Sequence, residues 1–362
     1  HTITANGNVT QGSFGPFARP DGEWGVSFDG TGDYFEVSNP TSSAFGTGDF
    51  TLECWVYMAV DNTNKAIVET RASDLSANGF VFAIESNGGR KLMVYSNAKL
   101  FTTSNAISLN TWTHIAISRS GTTLKCFING TQGASVTNSQ NYTNALVRVG
   151  RGIYASSDFN GLISNLRLVN SAVYTSNFTP PTAALTAITN TKLLTCQSNR
   201  FVDNSASALT ITPAGNAAVT AFGPFLTSSV YSAGTNGASV YMDGTGDSLS
   251  TASSADFALG TGDFTVAFWV YQKEVKDYTI YFDYRSTNSQ ATLYLYQASN
   301  GALDLYISGT SHTFTPPSML NRWAYIAISR ASSTTKLFVD GVQYLSFSDS
   351  TNYVQASTFY VG

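Results

Sequence analysis

The sequence predicts an all-β protein built as tandem jelly-roll β-sandwiches, and three observations predict it. Apolar residues recur with period two along short runs, Gly- and Asn-rich turns separate the runs, and most of the 362-residue chain is written twice. Period two puts one face of each run into a core, as a strand requires. No amphipathic pattern of three helical turns is present, so the short strands imply a sandwich or barrel. Each copy spans about 200 residues, more than an immunoglobulin-sized domain needs, which favours a large two-sheet jelly roll.

The repeat is read directly. Thr2-Ile3-Thr4, Gly7-Asn8 and Phe14-Gly15-Pro16-Phe17 return as Thr210-Ile211-Thr212, Gly215-Asn216 and Phe222-Gly223-Pro224-Phe225. Asp29-Gly30-Thr31-Gly32-Asp33 returns as Asp243-Gly244-Thr245-Gly246-Asp247, and Gly46-Thr47-Gly48-Asp49-Phe50-Thr51 as Gly260-Thr261-Gly262-Asp263-Phe264-Thr265. Ile115-Ala116-Ile117-Ser118-Arg119 returns as Ile326-Ala327-Ile328-Ser329-Arg330. The offset drifts from 208 to 214 and back to 211, so small insertions lie in loops. A unit this long is a domain rather than a solenoid turn.

Strands are expected at 24–28 and 34–37. Phe50, Leu52, Cys54 and Val56 alternate with Thr51, Glu53, Trp55 and Tyr57, and Phe264 to Val270 repeat the pattern. Further strands are expected at 66–70, 79–85 and 91–95. Thr113 to Ser118 and Leu124 to Ile128 form a hairpin, and the following turn at Asn129-Gly130 has its counterpart at Asp340-Gly341. Both dipeptides tolerate the positive φ of a tight turn. The last strands of the first copy are expected at 146–149 and 162–169.

Charged residues make up only 12% of the chain, and the net charge is −4. The surface is therefore hydrogen-bonding rather than ionic, which excludes a phosphate-binding nucleic-acid partner. No apolar run is long enough for a membrane span. Cys54 and Cys126 stand where the second copy has Phe268 and Leu337, so both read as small core hydrophobes, with Cys196 left over.

His1-Thr2-Ile3-Thr4-Ala5-Asn6-Gly7, Val26 to Tyr34, Phe50 to Val56 and Trp112 to Ala116, in that order, resemble laminin G-like domains of the concanavalin A-like lectin and glucanase superfamily. The resemblance covers nearly the whole chain, and the second copy carries it independently. It implies a first strand at Leu193-Leu194-Thr195-Cys196 and a first turn at Asp203-Asn204-Ser205. The expected domains are 1–185, lacking its first strand, and 186–362, lacking its last strands. The chain is accordingly expected to be a segment of a longer polypeptide. Tyr174 to Pro181 and the Phe-Gly-Pro-Phe motif also resemble tandem domains in virion proteins of tailed phages, especially marine ones.

Catalysis is not expected. Retaining glycosidases place two carboxylates about 5 Å apart, and the catalytic strand the resemblance implies, Glu-x-Asp-x-x-Glu, has no match. The six glutamates lie at 23, 36, 53, 69, 85 and 274, none within four residues of another. Glu53 faces away from Phe50, Leu52 and Cys54 and reads as a solvated strand residue. His1, His114 and His312 have no zinc or triad spacing. Asp29 and Asp33, with Asp243 and Asp247, are candidate calcium ligands. The favoured reading is a turn in which the glycines take positive φ and the aspartates satisfy loop amides, with no cofactor. Trp55, Trp112, Trp269 and Trp323 are shared by both copies and read as core. The loops that differ between copies supply the candidate ligand-binding residues Arg71, Asp74, Arg151, Tyr154, Asp158 and Arg285.

The resemblances imply a non-enzymatic virion protein of a tailed phage, a fibre or appendage on the virion surface contacting a host glycan or receptor. Its other partners would be virion subunits, with a homo-oligomer left open. The alternatives are a spacer or capsid decoration without ligand, and a secreted bacterial adhesin. Repetition suits weak multivalent contact, because linked sites gain effective concentration.

Overall fold

A computed structural model describes residues 3–7, 10–12, 19, 21–37, 44–61, 63–73, 77–85, 89–225, 239–252, 254–285, 293–353 and 359–362. The fold is all-β, made of jelly-roll sandwiches. Among the described residues no helix is long and apolar enough to cross a membrane. The chain divides into two compact units. One is residues 19–230; the other joins residues 1–18 to 231–362. The units thus do not follow the repeat boundary near 186.

In the 19–230 unit, two antiparallel sheets face each other. The first has the order Thr131–Thr137, Thr123–Ile128, Thr113–Ser120, Phe50–Tyr57, Asn160–Val169, Gly25–Asp29, Ala218–Thr220, with Thr191–Thr195 also paired to Asn160–Val169. The second runs Ile211–Ala214, Tyr34–Val37, Arg148–Val149, Ala66–Glu69, Val81–Ile84, Lys91–Tyr95, Lys99–Ala106. Alternate side chains meet between them. Phe50, Leu52, Cys54, Val56, Ile115, Ile117 and Leu168 from one sheet pack with Phe35, Val68, Phe82, Leu92 and Val94 from the other, all fully buried. Each large apolar side chain so buried stabilises the fold by about 1.5–3 kcal/mol. Cys54, Cys126 and Cys196 are free thiols in this core, and burial pushes all three up from their ordinary pKa.

The 231–362 unit repeats the plan. One sheet has the order Ile3–Asn6, Ser248–Thr251, Tyr360–Val361, Thr279–Asp283, Leu293–Gln297, Leu303–Ile307, Thr310–Phe314. The other has Phe264–Tyr271, Trp323–Ala331, Thr334–Val339 and Val342–Ser348. The hairpin turns are those expected: Asn129 and Gly130 have φ of 47° and 74°, Asp340 and Gly341 of 51° and 83°.

The shared Ser-Arg and Gly-Thr-Gly-Asp-Phe-Thr motifs meet in space. Arg119 is fully buried. Its guanidinium donates to the carbonyls of Gly46 at 2.7 Å, Gly48 at 2.6 and 2.9 Å and Gln140 at 2.8 Å. It also lies over the rings of Phe50 and Tyr142. Arg330 does the same with Gly260, Gly262 and Thr351, over Phe264 and Tyr353. One guanidinium thus supplies the donors that a Gly-rich loop would otherwise leave its buried carbonyls without.

Glu53 is not solvated, as its strand position suggested; it is fully buried. Segment 171–190 folds over the outer face of the sheet and covers it. Arg167 donates to Glu53 Oε1 at 2.6 and 2.9 Å. Tyr174 Oη donates to Oε2 at 2.7 Å, and His114 Nε2 lies 3.1 Å from the same oxygen. Trp55 and Trp112 occupy the outer face as well, packed against Phe225 and Phe222 of the second motif copy.

Candidate functional site

The strands Ala66–Glu69, Val81–Ile84 and Lys91–Tyr95 turn one face to the core and the other outward. Ala66, Val81, Ala83 and Met93, with Tyr95 packed on them, form a separate apolar cluster on the outer face. The two alanines are short, so this face is recessed between Met93 and Tyr95 on one side and Gly152, Ile153, Tyr154 and Ser157 on the other. The depression holds about 150 Å³ and includes Glu69 and Arg71 in its lining.

Glu69 and Arg71 sit two residues apart across the strand end and lock together. The Arg71 backbone N–H and Nε each donate to Glu69 Oε1 at 2.9 Å, and its terminal nitrogen donates to Oε2 at 2.8 Å. The guanidinium stacks on the Tyr95 ring, 5.2 Å from its centroid. Tyr154 stands on the opposite rim, 55% exposed. Its loop is shaped by a single turn of 3-10 helix at Ala155–Ser157 and by Ser157 Oγ, which accepts the Gly152 N–H at 3.1 Å.

The remaining candidates of this unit lie beside the depression. Arg151 pairs with Asp158 at 3.1 Å and stacks over Tyr34. Asp158 Oδ2 accepts the Gly32 N–H at 2.6 Å, which ties this pair to the Asp-Gly-Thr-Gly-Asp turn. In that turn Gly30 and Gly32 have φ of 87° and 81°. Asp29 Oδ1 accepts the Thr31 N–H at 2.7 Å, Asp33 Oδ2 the Asp29 N–H at 2.8 Å and Asp33 Oδ1 the Asn216 N–H at 2.5 Å. Burial, offset in part by these amides, holds the Asp33 carboxyl above its ordinary pKa. Asp243 and Asp247 repeat the first two bonds at 2.8 and 2.9 Å. These carboxylate oxygens are turned to backbone amides. Asp74 lies outside the described residues.

Arg285 occupies in the 231–362 unit the place Arg71 has in the other. Its backbone N–H and Nε donate to Asp283 Oδ1 at 2.8 and 2.9 Å. Hydrogen bonding to Asp283 raises the pKa of the guanidinium. That guanidinium lies 4.2 Å from the Tyr294 ring centroid. From Tyr294 the aromatic surface continues to Tyr306 at 5.0 Å and Tyr296 at 5.6 Å, and from Tyr296 to Tyr278 at 4.7 Å. Tyr278 is 57% exposed. Tyr296 Oη donates to Asp304 Oδ2 at 3.0 Å. Burial and these neighbours push the Tyr294 and Tyr296 phenols above their ordinary pKa.

Both units therefore carry a carboxylate–guanidinium pair at the same place on the same sheet, but the tyrosine ring under it comes from different strands: Tyr294 faces Asp283 where Val81 faces Glu69, and Tyr306 stands where the other unit has Tyr95. A pyranose ring presents a C–H face that suits a tyrosine face and a rim of hydroxyls that suits carboxylate, guanidinium and amide partners. Sequence reasoning named the arginines and Tyr154 but missed Tyr95, Met93, Tyr294, Tyr296 and Tyr306. The signal was present in Leu293-Tyr294-Leu295-Tyr296: if the leucines face the core, the tyrosines line the outer face.

Residues 29–176 and 230–362 match the model of the laminin G family described as the concanavalin A-like lectin/glucanases superfamily. A search of curated proteins returned no match. Solved structures of similar fold include a putative carbohydrate-binding protein of Bacteroides ovatus, 15% identical with a TM-score of 0.44 over 56% of this chain and 61% of that one. This chain thus spans less than two-thirds of that protein. Domains LG4-5 of the mouse laminin α1 chain are 11% identical with a TM-score of 0.32, over 93% and 81% of the two chains. The CBM40 of a Ruminococcus gnavus sialidase, solved with α2,3-sialyllactose, is 12% identical with a TM-score of 0.35, over 43% and 95%. With both bodies of the repeat matched by one family model, the chain belongs to the concanavalin A-like lectin/glucanases superfamily.

Proposed function

We propose that the protein is a non-enzymatic glycan-contact protein in which each sandwich presents one weak carbohydrate site on the outer face of its second sheet. The observation that carries this reading is an ion pair at equivalent places, Glu69–Arg71 and Asp283–Arg285, with each guanidinium on a tyrosine ring of the same outer face, Tyr95 in one unit and Tyr294 in the other. Two such sites on one chain gain avidity without new contacts. Glu69 and Asp283 are each held by an arginine, so neither is placed as the proton donor a glycosidase needs. Within this reading the chain is part of a fibre or appendage on the surface of a tailed-phage virion, contacting host-surface glycan and neighbouring virion subunits. The joining motifs Tyr174 to Pro181 and Phe222 to Phe225 support that setting. A spacer without ligand is the second reading, favoured by the way each arginine is already satisfied by its own carboxylate.

The test is binding of the chain to bacterial surface polysaccharides on an array, with calcium and with chelator, beside an assay for released sugar. The proposal expects binding in both conditions and no release. Binding to no glycan, with antibodies to the chain labelling purified particles, would support the spacer.

A further inference from the structure

The cores of the two sandwiches end differently. In the 19–230 unit, Phe50, Leu52, Cys54 and Val56 lead on to Met58, and the strand Val81–Ile84 ends on Ile84. Met58, Ile84 and Ile107 are all buried there as part of the main core. The repeat puts Gln272 at the place of Met58. Strand alternation and register put Gln297 at the place of Ile84: Leu293 and Leu295 face the core, and Gln297 pairs with Leu303 as Ile84 pairs with Leu92. Two glutamines thus stand at core positions, 8% and 3% exposed.

The two amides hold each other. Gln272 Nε2 donates to Gln297 Oε1, and to the Glu274 carbonyl at 2.7 Å. Gln297 Nε2 donates to Gln272 Oε1 at 3.3 Å, and Tyr281 Oη donates to the same oxygen at 3.2 Å. The chain above them also differs. In the 19–230 unit the hairpin ladder runs on to Lys91 and Ala106, and the Ile107 N–H donates to the Arg90 carbonyl at 2.9 Å. In the other unit the ladder stops at Leu303 and Phe314, since Pro316 and Pro317 have no N–H to donate. The two paths come back to one geometry at Asn110 and Asn321, with φ of 54° and 55°, whose N–H groups donate at 2.8 Å to the carbonyls of Met58 and Gln272. Ile107 packs into the first core. Residues 315–320 leave instead a cavity of about 240 Å³, lined by Gln272, Gln297, Val275, Pro316, Pro317 and Met319 among others.

We propose that this cavity binds one neutral sugar residue. None of the described residues lining it is charged, so a carboxylate would lose its water there without gaining a cation. The paired amides place donors and acceptors side by side, as neighbouring hydroxyls require. Gln297 Oε1 takes one hydrogen bond among the described residues and has room for a second. Val275, the prolines and Met319 supply apolar walls for the C–H groups of the ring. An amide floor keeps such a cavity hydrated, and a hydroxylated ring can displace that water and reproduce its bonds. Pockets for drug-sized ligands hold roughly 300–1,000 Å³, so this one admits a single ring rather than a chain. The site shares no residue with the outer-face sites, and it stands whether or not those bind.

The test is saturation-transfer NMR on the full chain with the methyl glycosides of glucose, galactose and mannose, beside glucuronate. The double variant Gln272→Met/Gln297→Ile gives the second core the residues of the first. It removes both amides together, so it should fold. Val275→Trp, at a rim position 39% exposed, closes the cavity without touching the amides. The expected result is transfer to at least one neutral glycoside, with a dissociation constant of about 1 mM, weakened at least tenfold in both variants. The signal should survive in Tyr95→Ala/Tyr294→Ala, which separates this site from the outer faces. No transfer to any neutral glycoside overturns the proposal. So does transfer of equal strength in Val275→Trp and the glutamine double variant, or binding of glucuronate as strong as that of the neutral sugars.

Discussion

Asp33 Oδ1 accepts the backbone N–H of Asn216 at 2.5 Å, across 183 residues of chain. Its other oxygen accepts the N–H of Asp29 at 2.8 Å. One carboxylate thus closes the turn of its own motif and fastens the strand that completes the sheet. Asp33→Ala leaves both donors without that partner, and a buried unsatisfied donor costs about 1–3 kcal/mol. The expected outcome is a lower melting temperature, with amide exchange accelerated first at Asn216. Unchanged exchange there would show that the strand is held by its ladder alone.

Arg119 and Arg330 should behave as a matched pair. Each is buried under an aromatic ring and bridges loop carbonyls. Arg119→Ala or Arg330→Ala should destabilise its own unit by about 3 kcal/mol or more, because several buried carbonyls lose their donors at once. Lysine should recover little, since one ammonium does not reproduce the planar fork. Thermal unfolding followed by calorimetry reads this, with the low-temperature transition assigned to the altered unit.

Acid should loosen the 19–230 unit through Glu53. Burial alone would raise the pKa of this carboxyl, but the His114 hydrogen bond, Arg167 and Tyr174 outweigh it, and the net shift is downward from the ordinary 4.5. The folded state then binds fewer protons than the unfolded one. The stabilisation is fully present above pH 4.5 and is lost as pH falls through the lowered folded value. Glu53→Gln should reduce stability at neutral pH, leaving Arg167 buried without its counter-ion, and should flatten the acid limb of the stability profile. An acid limb identical to that of the unsubstituted chain would remove Glu53 as its source.

Much of the fold is legible in the sequence because it is periodic and repeated. Phe50 to Tyr57 alternates, Asn129-Gly130 turns, and the second copy supplies a check on each element. The burial of Glu53 was not legible, since its partners Arg167 and Tyr174 lie more than a hundred residues away and Ala267 replaces it in the second copy. The place of Ile211–Ala214 on Tyr34–Val37 was hidden for a related reason: the pairing spans more than 170 residues, and nothing near Ile211 marks its neighbour. At the candidate site, loop variation pointed to Arg71, Tyr154 and Arg285. The tyrosines beneath them were missed because they lie on strands, where an aromatic residue reads as core until the facing of neighbouring leucines is fixed.

The two sites should differ in how far they are tied to stability. Tyr95 and Tyr294 lie on the outer face of their sheets, away from the main cores. Tyr95→Ala should leave the unfolding transition of its unit within a few degrees of its original position, whereas Tyr294 is only 6% exposed, so Tyr294→Ala should lower the transition of its own unit by more. Each single change should weaken binding to a multivalent glycan surface by roughly tenfold through lost avidity.

The most direct measurement is glycan-array binding of the full chain beside the Tyr95→Ala/Tyr294→Ala double variant, with folding of both confirmed by calorimetry. The predicted result is a specific polysaccharide signal from the unsubstituted chain, unaffected by chelator and lost in the double variant. A signal of equal strength from both chains, or no signal from either, would contradict a glycan site on the outer sheet faces.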